Sequence, residues 1–196
     1  GVDGSRGRMK RMFDLLLGMV ALVLLAVPML LVALAVLLTS EGPILYWSDR
    51  VGLRNRIFRM PKFRTMRIGT PPVATHLLPE PDAWLTPVGA FLRKTSLDEL
   101  PQLWSILKGD MSFVGPRPEV PQFVDDLEER LPYYAERHMV KPGITGWAQI
   151  NGLRGQTSIQ KRIEYDLYYI ENWSLLMDLK ILVRTALGGF LSKNAY

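Results

Sequence analysis

The chain has 196 residues, enough for one ordinary domain, with 24 Lys and Arg against 19 Asp and Glu and a net charge of +5. It has no cysteine and two histidines, His76 and His138, which excludes disulfide scaffolds, thiol nucleophiles and zinc sites built from cysteine or several histidines. Transfer or hydrolytic chemistry must then rest on carboxylates, hydroxyls, basic groups or a hard, oxygen-bound metal.

The opening GVDGSRGR reads as a tag scar or cloning junction before Met9. No charge occurs from Leu15 to Leu38, an apolar run long enough to span a bilayer, which needs about 20 residues. The run exceeds the usual apolar core of a cleaved signal peptide. Arg8, Lys10 and Arg11 precede it, and Arg50, Arg54, Arg56, Arg59, Lys62, Arg64 and Arg67 follow. Because Lys and Arg favour the cytoplasmic side, a straight span would put one basic flank on the wrong face. A helix that enters and turns back satisfies both flanks, and Pro28 is the place to turn, since it removes a backbone donor and crowds the preceding turn. A kinked single span is the alternative.

From Gly42 to Gly69, aromatics and aliphatics interleave with basic residues; Ile57, Phe58, Met60 and Phe63 predict short extended or interfacial pieces. Lys62, Arg64 and their neighbours suit anionic headgroups or a phosphate ligand. Thr70 to Asp82, with Pro71, Pro72, Pro79 and Pro81, reads as an irregular loop. A helix is expected over 100–107, with Leu100, Leu103, Trp104 and Leu107 on one face and Gly109 just after it. In FVGPRPEVPQF, Pro116 and Pro118 hold Arg117 in stiff backbone, suited to presenting a guanidinium to an anion or to a rigid turn. A charged surface helix follows over 120–131. The Gly-rich 141–155, with Thr145, Trp147, Gln149 and Asn151, is a ligand-facing loop or a turn. An amphipathic helix is read over 158–173, with Tyr165, Tyr168, Tyr169 and Trp173 as interfacial aromatics. The second apolar stretch, 175–190, is broken by Asp178, Lys180 and Arg184 and should lie on the membrane or the domain.

Within TSLDELPQL, Asp98 and Glu99 stand side by side soon after Arg93 and Lys94. Ser96 and Glu99 fit a capping box, but Pro101 places the helix start near Leu100, so both acids sit at a helix N-terminus. Capping accounts for one carboxylate only. Two carboxylates beside Arg93, Lys94 and Arg117 can hold a divalent cation and a phosphorylated ligand, and an aspartate can attack phosphorus. Adjacent surface acids are the plain alternative. There is no D-x-D triplet, P-loop, Rossmann glycine fingerprint or H-E-x-x-H. The strongest basic cluster abuts the apolar run, which favours lipid phosphate over nucleic acid.

The stretches KFRTM (62–66), LRKTSLDELPQLWSILKGDMSFVGPRPEVP (92–121), RHMVKPGITGWAQINGLRG (137–155) and EYDLYYIENWSLLMDLKIL (164–182) resemble the bacterial sugar transferase family, the monotopic phosphoglycosyl transferases. The resemblance implies a re-entrant membrane helix at 9–40 broken at Pro28; with the junction at 1–8 and a membrane-surface catalytic domain at 41–196, the expected fold is mixed α/β, mainly helical with short strands. Val27 stands where the family often has Ser before that proline. By matching motif, Asp98 is the expected nucleophile and Glu99 its partner in Mg2+ binding and proton handling. Arg93 and Arg117 are expected at phosphate, and Lys62, Arg64, Thr145 and Gln149 at substrate.

The implied reaction moves a sugar-1-phosphate from a UDP-sugar to undecaprenyl phosphate with release of UMP, through an aspartyl-phosphosugar. The ending NWSLLMDLKILVRTALGGFLSKNAY is similar to hexose-1-phosphate transferases of exopolysaccharide synthesis, favouring glucose or galactose over N-acetylated or diacetamido sugars. Expected partners are the UDP-sugar, polyprenyl phosphate, membrane lipids and, as an option, a second copy in a homodimer; nucleic acid is not among them. The expected location is the cytoplasmic face of the bacterial inner membrane. A non-catalytic lipid-binding module and a membrane phosphatase using the same aspartate are the alternatives.

Overall fold

The computed structural model describes residues 4–71, 77–155 and 157–188. Residues 1–3 of the opening junction, Pro72 and His76 of the proline loop, Gln156, and the second apolar stretch from 189 on lie outside the described residues. Helix α1 (Gly4–Thr39) comes first, about 54 Å long at the standard rise. It is long and apolar enough to cross a membrane, and only 11% of its most apolar window is buried, so it is not a core helix. The break expected at Pro28 is not seen: α1 continues as helix through it. One lost ladder bond does not require a break when the turns on either side are intact. The residues at 4–8 read as a junction belong to this helix.

One stripe of α1, Leu17, Ala21, Leu25 and Met29, packs on the main core. Its base is bound by polar contacts. Lys10 donates to Asp178 Oδ2 (2.6 Å), Val114 O (3.0 Å) and Tyr169 OH (3.1 Å), and Asp14 accepts from Ser112 Oγ at 2.6 Å. Arg11 bonds the carbonyls of Ile106 and Leu107 at 2.5 and 2.7 Å. The N-terminal basic flank is thus partly internal to the fold. The other end is bound too: Val36 is fully buried beside Phe63 and Leu92. Arg64, expected at substrate, bonds Pro43 O at 2.7 Å and Ser40 Oγ at 2.9 Å, fastening the chain as it leaves α1.

Strands β1 (Leu45–Val51) and β2 (Ile57–Phe63) form an antiparallel hairpin, pairing Leu45 with Phe63 and Val51 with Ile57. Helix α2 (Gly89–Thr95) leads through a 3-10 turn, Leu97–Glu99, into α3 (Gln102–Lys108). Gly109, at φ +104, ends α3 in the left-handed region that glycine adopts without strain. The buried residues of α3 are Gln102, Leu103, Ser105 and Ile106; Trp104, read on one face with Leu103, is 57% exposed. Strand β3 (Ser112–Val114) pairs in parallel with β4 (Gly143–Thr145), with α4 (Pro121–Arg130) between them in sequence. The acids of α4 are exposed, while Val124 and Leu127 are buried.

After the short α5 (Trp147–Ile150), helices α6 (Ile159–Glu171) and α7 (Leu175–Leu187) close the fold. The serines before α6 and α7, Ser158 and Ser174, cap them by accepting from Lys161 N and Met177 N. Tyr169 and Trp173, read as interfacial, are core residues, at 1% and 7% exposure. Their polar atoms explain it: Tyr169 OH and Trp173 Nε1 both donate to Asp178, at 2.7 and 3.1 Å. On α7 Asp178 is therefore internal, whereas Lys180 and Arg184 are exposed along with Leu176, Leu179, Val183 and Leu187.

Candidate active site

Asp98 and Glu99 occupy the 3-10 turn between α2 and α3. Ser96, at φ +58, reverses the chain there, and its side chain makes no capping bond, so the capping-box reading fails. Pro101, at φ −60, starts α3 where its missing N–H has no helical partner to lose. The two acids are 7% exposed each, far from the solvated surface pair that adjacent acids usually make.

Cations from distant segments converge on them. Arg117 Nη2 lies 2.9 Å from Glu99 Oε1, and Lys62 Nζ from β2 lies 3.7 Å from the same oxygen. Arg93 Nε donates to Thr65 Oγ1 at 2.9 Å, and its charge acts on Asp98. Arg154 acts on both carboxylates, and Arg50 on Glu99 and Arg117. Arg50 and Arg154 are not singled out by the sequence. Arg154 sits in INGLRG and Arg50 in the hairpin, and no local pattern separates either from its basic neighbours.

Burial would raise the Glu99 carboxyl, but the charges of Arg117, Lys62 and Arg154 outweigh it and hold Glu99 ionised below the usual carboxylate range. Asp98 goes the other way. Burial raises its carboxyl, the Glu99 charge adds to the rise, and Lys62, Arg93 and Arg117 only partly offset it. Burial also pulls the Lys62 ammonium down to about 8, with Glu99 opposing. The pair is thus divided into a fixed anion, Glu99, and a poorly compensated one, Asp98, which has electrostatic reason to accept a further cation. Among the described residues no three His, Cys, Asp or Glu side chains cluster as a metal cage. Magnesium does not need one, since one or two protein carboxylates plus phosphate oxygens suffice, so Asp98 and Glu99 fit that ion.

Of the expected site residues, the fold brings Lys62, Arg93, Asp98, Glu99 and Arg117 together. Arg64 is engaged at the end of α1. Thr145 is bonded to Thr185 of α7 at 2.7 Å, linking β4 to that helix. Gln149 lies on α5 with its buried Nε2 unbonded among the described residues. Buried carboxylates ringed by arginine and lysine can grip a diphosphate, and can offer one oxygen nucleophile to phosphorus.

Comparison with known proteins identifies the family. The family model described as bacterial sugar transferase matches residues 5–192. A UDP-glucose:undecaprenyl-phosphate glucose-1-phosphate transferase of Xanthomonas campestris pv. campestris is 45% identical over 192 residues, covering 95% of this chain and 40% of the relative. One of the same name from Escherichia coli (strain K12) is 41% identical over 199 residues, covering 100% of this chain and 43% of the relative. A UDP-N-acetylgalactosamine-undecaprenyl-phosphate N-acetylgalactosaminephosphotransferase of Aeromonas hydrophila is 42% identical over 186 residues, covering 92% and 44%. The chain thus spans about two fifths of the length of these curated relatives. With the match running through nearly all its residues, the chain belongs to the bacterial sugar transferase family.

Proposed function

We propose that this chain moves a sugar-1-phosphate from a UDP-sugar to undecaprenyl phosphate, with Asp98 as the nucleophile. The observation that carries this is the buried Asp98–Glu99 pair beneath Lys62, Arg93, Arg117 and Arg154. An Asp98 carboxylate oxygen attacks the phosphorus that bears the sugar; the bond from that phosphorus to the bridging oxygen breaks, and UMP leaves. An oxygen of the polyprenyl phosphate then attacks the same phosphorus, breaking the aspartyl bond and releasing a polyprenyl diphosphosugar. Both attacking groups are anions, so neither step needs a proton removed from the nucleophile. Arg117, Arg93 and Arg154 bind and orient the diphosphate and neutralise its charge. Magnesium, held by Asp98 and Glu99 with diphosphate oxygens, would add charge neutralisation there. Glu99, kept ionised by Arg117 and Lys62, suits that electrostatic role better than carrying a proton.

The substrate class follows the relatives' names, which put UDP-glucose first and a UDP-N-acetylhexosamine second. A monotopic placement is supported by α1 itself. Lys10 near one end and Val36 near the other contact the same domain, whereas a straight crossing would carry them to opposite faces. The exposed arginines Arg54, Arg56 and Arg59 favour the cytoplasmic face of the inner membrane, where a UDP-sugar and a lipid-borne acceptor can meet.

The test is the intact mass of purified protein incubated with magnesium and UDP-glucose, UDP-galactose or UDP-N-acetylgalactosamine, without lipid. An added sugar phosphate in wild type, absent in Asp98→Asn, is the expected result. UMP release that occurs only with lipid present, and with no adduct from any sugar, would remove Asp98 from the nucleophile role.

A further inference from the structure

We propose that Arg137 is a positioning residue that aims Arg117 at Glu99 by holding the Arg117 backbone; the inference rests on the role given to Arg117 above. Arg117 stands in Pro116–Arg117–Pro118, and neither proline has an N–H to tie the segment down. The segment is held by its carbonyls instead. Pro116 O accepts from Gly143 N at 2.9 Å and Glu119 O from Val51 N at 2.9 Å, both backbone bonds. The two carbonyls between them accept from guanidinium groups: Pro118 O from Arg50 Nη1 at 3.0 Å, and Arg117 O from Arg137 Nη2 at 2.6 Å.

Arg137 is itself immobilised. It is 3% exposed, donates through Nε to Asp166 Oδ2 at 3.1 Å and through Nη1 to Tyr134 OH at 3.3 Å, and lies over the Tyr134 ring at 5.4 Å. Asp166, on α6, is equally buried. The three donor nitrogens of one planar fork therefore link α6, the 134–139 turn and the Arg117 carbonyl, a geometry lysine cannot reproduce. Arg137 is absent from the charges that dominate Asp98 and Glu99, so its influence on the site passes through Arg117.

The test is a double-mutant cycle of Arg137→Lys and Arg117→Lys in full-length protein with magnesium, read as UMP release from UDP-glucose in the presence of polyprenyl phosphate. Arginine-side-chain NMR of the same proteins accompanies it, with the Arg117 signal assigned by its loss in Arg117→Lys. Arg137→Lys should lower kcat/KM on the order of 10-fold to 100-fold, the range for a displaced catalytic contact, and should cost little more in the Arg117→Lys background. The Arg117 guanidinium signal should move toward that of free arginine. Equal losses in both backgrounds, or an unmoved Arg117 signal, would overturn the proposal.

If Arg137→Lys folds poorly, Arg137→Met with Asp166→Leu removes the tether without leaving a buried charge unpaired, and the same readouts apply. A shifted Arg117 signal without UMP release from any UDP-sugar would uphold the tether and overturn the proposed function.

Discussion

Lys62 is a buried ammonium that the fold carries at a cost. Burial brings it from 10.5 to about 8, with Glu99 only partly offsetting the loss of water. The difference of 2.5 corresponds, at about 1.4 kcal/mol per pKa unit, to roughly 3 kcal/mol by which ionised Lys62 destabilises the folded state at neutral pH. Lys62→Met fills similar space without the charge while Glu99 keeps its 2.9 Å pairing with Arg117, and should raise stability by about 1–3 kcal/mol at pH 7, allowing for relaxation around the site. The same substitution should lower UMP release on the order of 100-fold, because a charge facing Glu99 is lost.

The pH dependence carries the sign. The folded value lies below the unfolded one, so the penalty is full below about 8 and fades as pH rises toward 10.5, where Lys62 is neutral in both states. The gain of Lys62→Met should therefore shrink between pH 8 and 10.5. Reversible chemical denaturation in detergent, with EDTA to keep the site metal-free, measures both parts. A variant less stable than wild type at pH 7, or a gain that grows toward pH 10, would refute the desolvation argument.

His138 is buried and its ring is held down to about 4, chiefly by burial and then by Arg137; its stabilising contribution is full above pH 6.5 and is lost as pH falls to 4. His138→Gln should flatten acid unfolding in that window by up to about 3 kcal/mol, as followed by circular dichroism. Lys10→Met leaves Asp178 buried without its ammonium and should cost about 3–5 kcal/mol, whereas Lys10→Met with Asp178→Asn, which removes the charge but keeps an acceptor for Tyr169 and Trp173, should recover part of it in denaturant titrations. Asp98 is raised above the usual carboxylate range, and the nucleophile must be ionised. In metal-free protein the Asp98 carboxyl should therefore titrate above that range by carboxyl-carbon NMR, and Glu99→Gln, which removes the neighbouring charge that adds to the rise, should bring it down. Arg117→Lys, which keeps the charge but loses the fork, should reduce adduct formation on the order of 100-fold.

Local features of this chain were legible without a structure because their causes are local. The uncharged run reads as membrane helix, although the break expected at Pro28 is not seen, and Pro101 and Gly109 bracket α3 through backbone restrictions that act within one turn. The acids of α4 face water, as expected of a charged surface helix. Pairing over distance was not legible. Lys10 and Arg11 looked like a topological flank, yet they bind α7 and the end of α3, more than 90 residues away in sequence. Tyr169 and Trp173 looked interfacial until Asp178 supplied their hydrogen-bond partner inside the core.

The site divides along the same line. Adjacency at a helix start beside Arg93 and Lys94 made Asp98 and Glu99 candidates, with surface acids as the alternative, and only the family resemblance gave them roles. Which acid would stay ionised, and which cations would surround them, depended on the β1–β2 hairpin delivering Lys62 and Arg50 and on the carbonyl-held Arg117 segment arriving from the other side. Sequence dictates what a few neighbouring residues can adopt; burial and long-range charge, which set the chemistry, exist only once separate segments exclude water together.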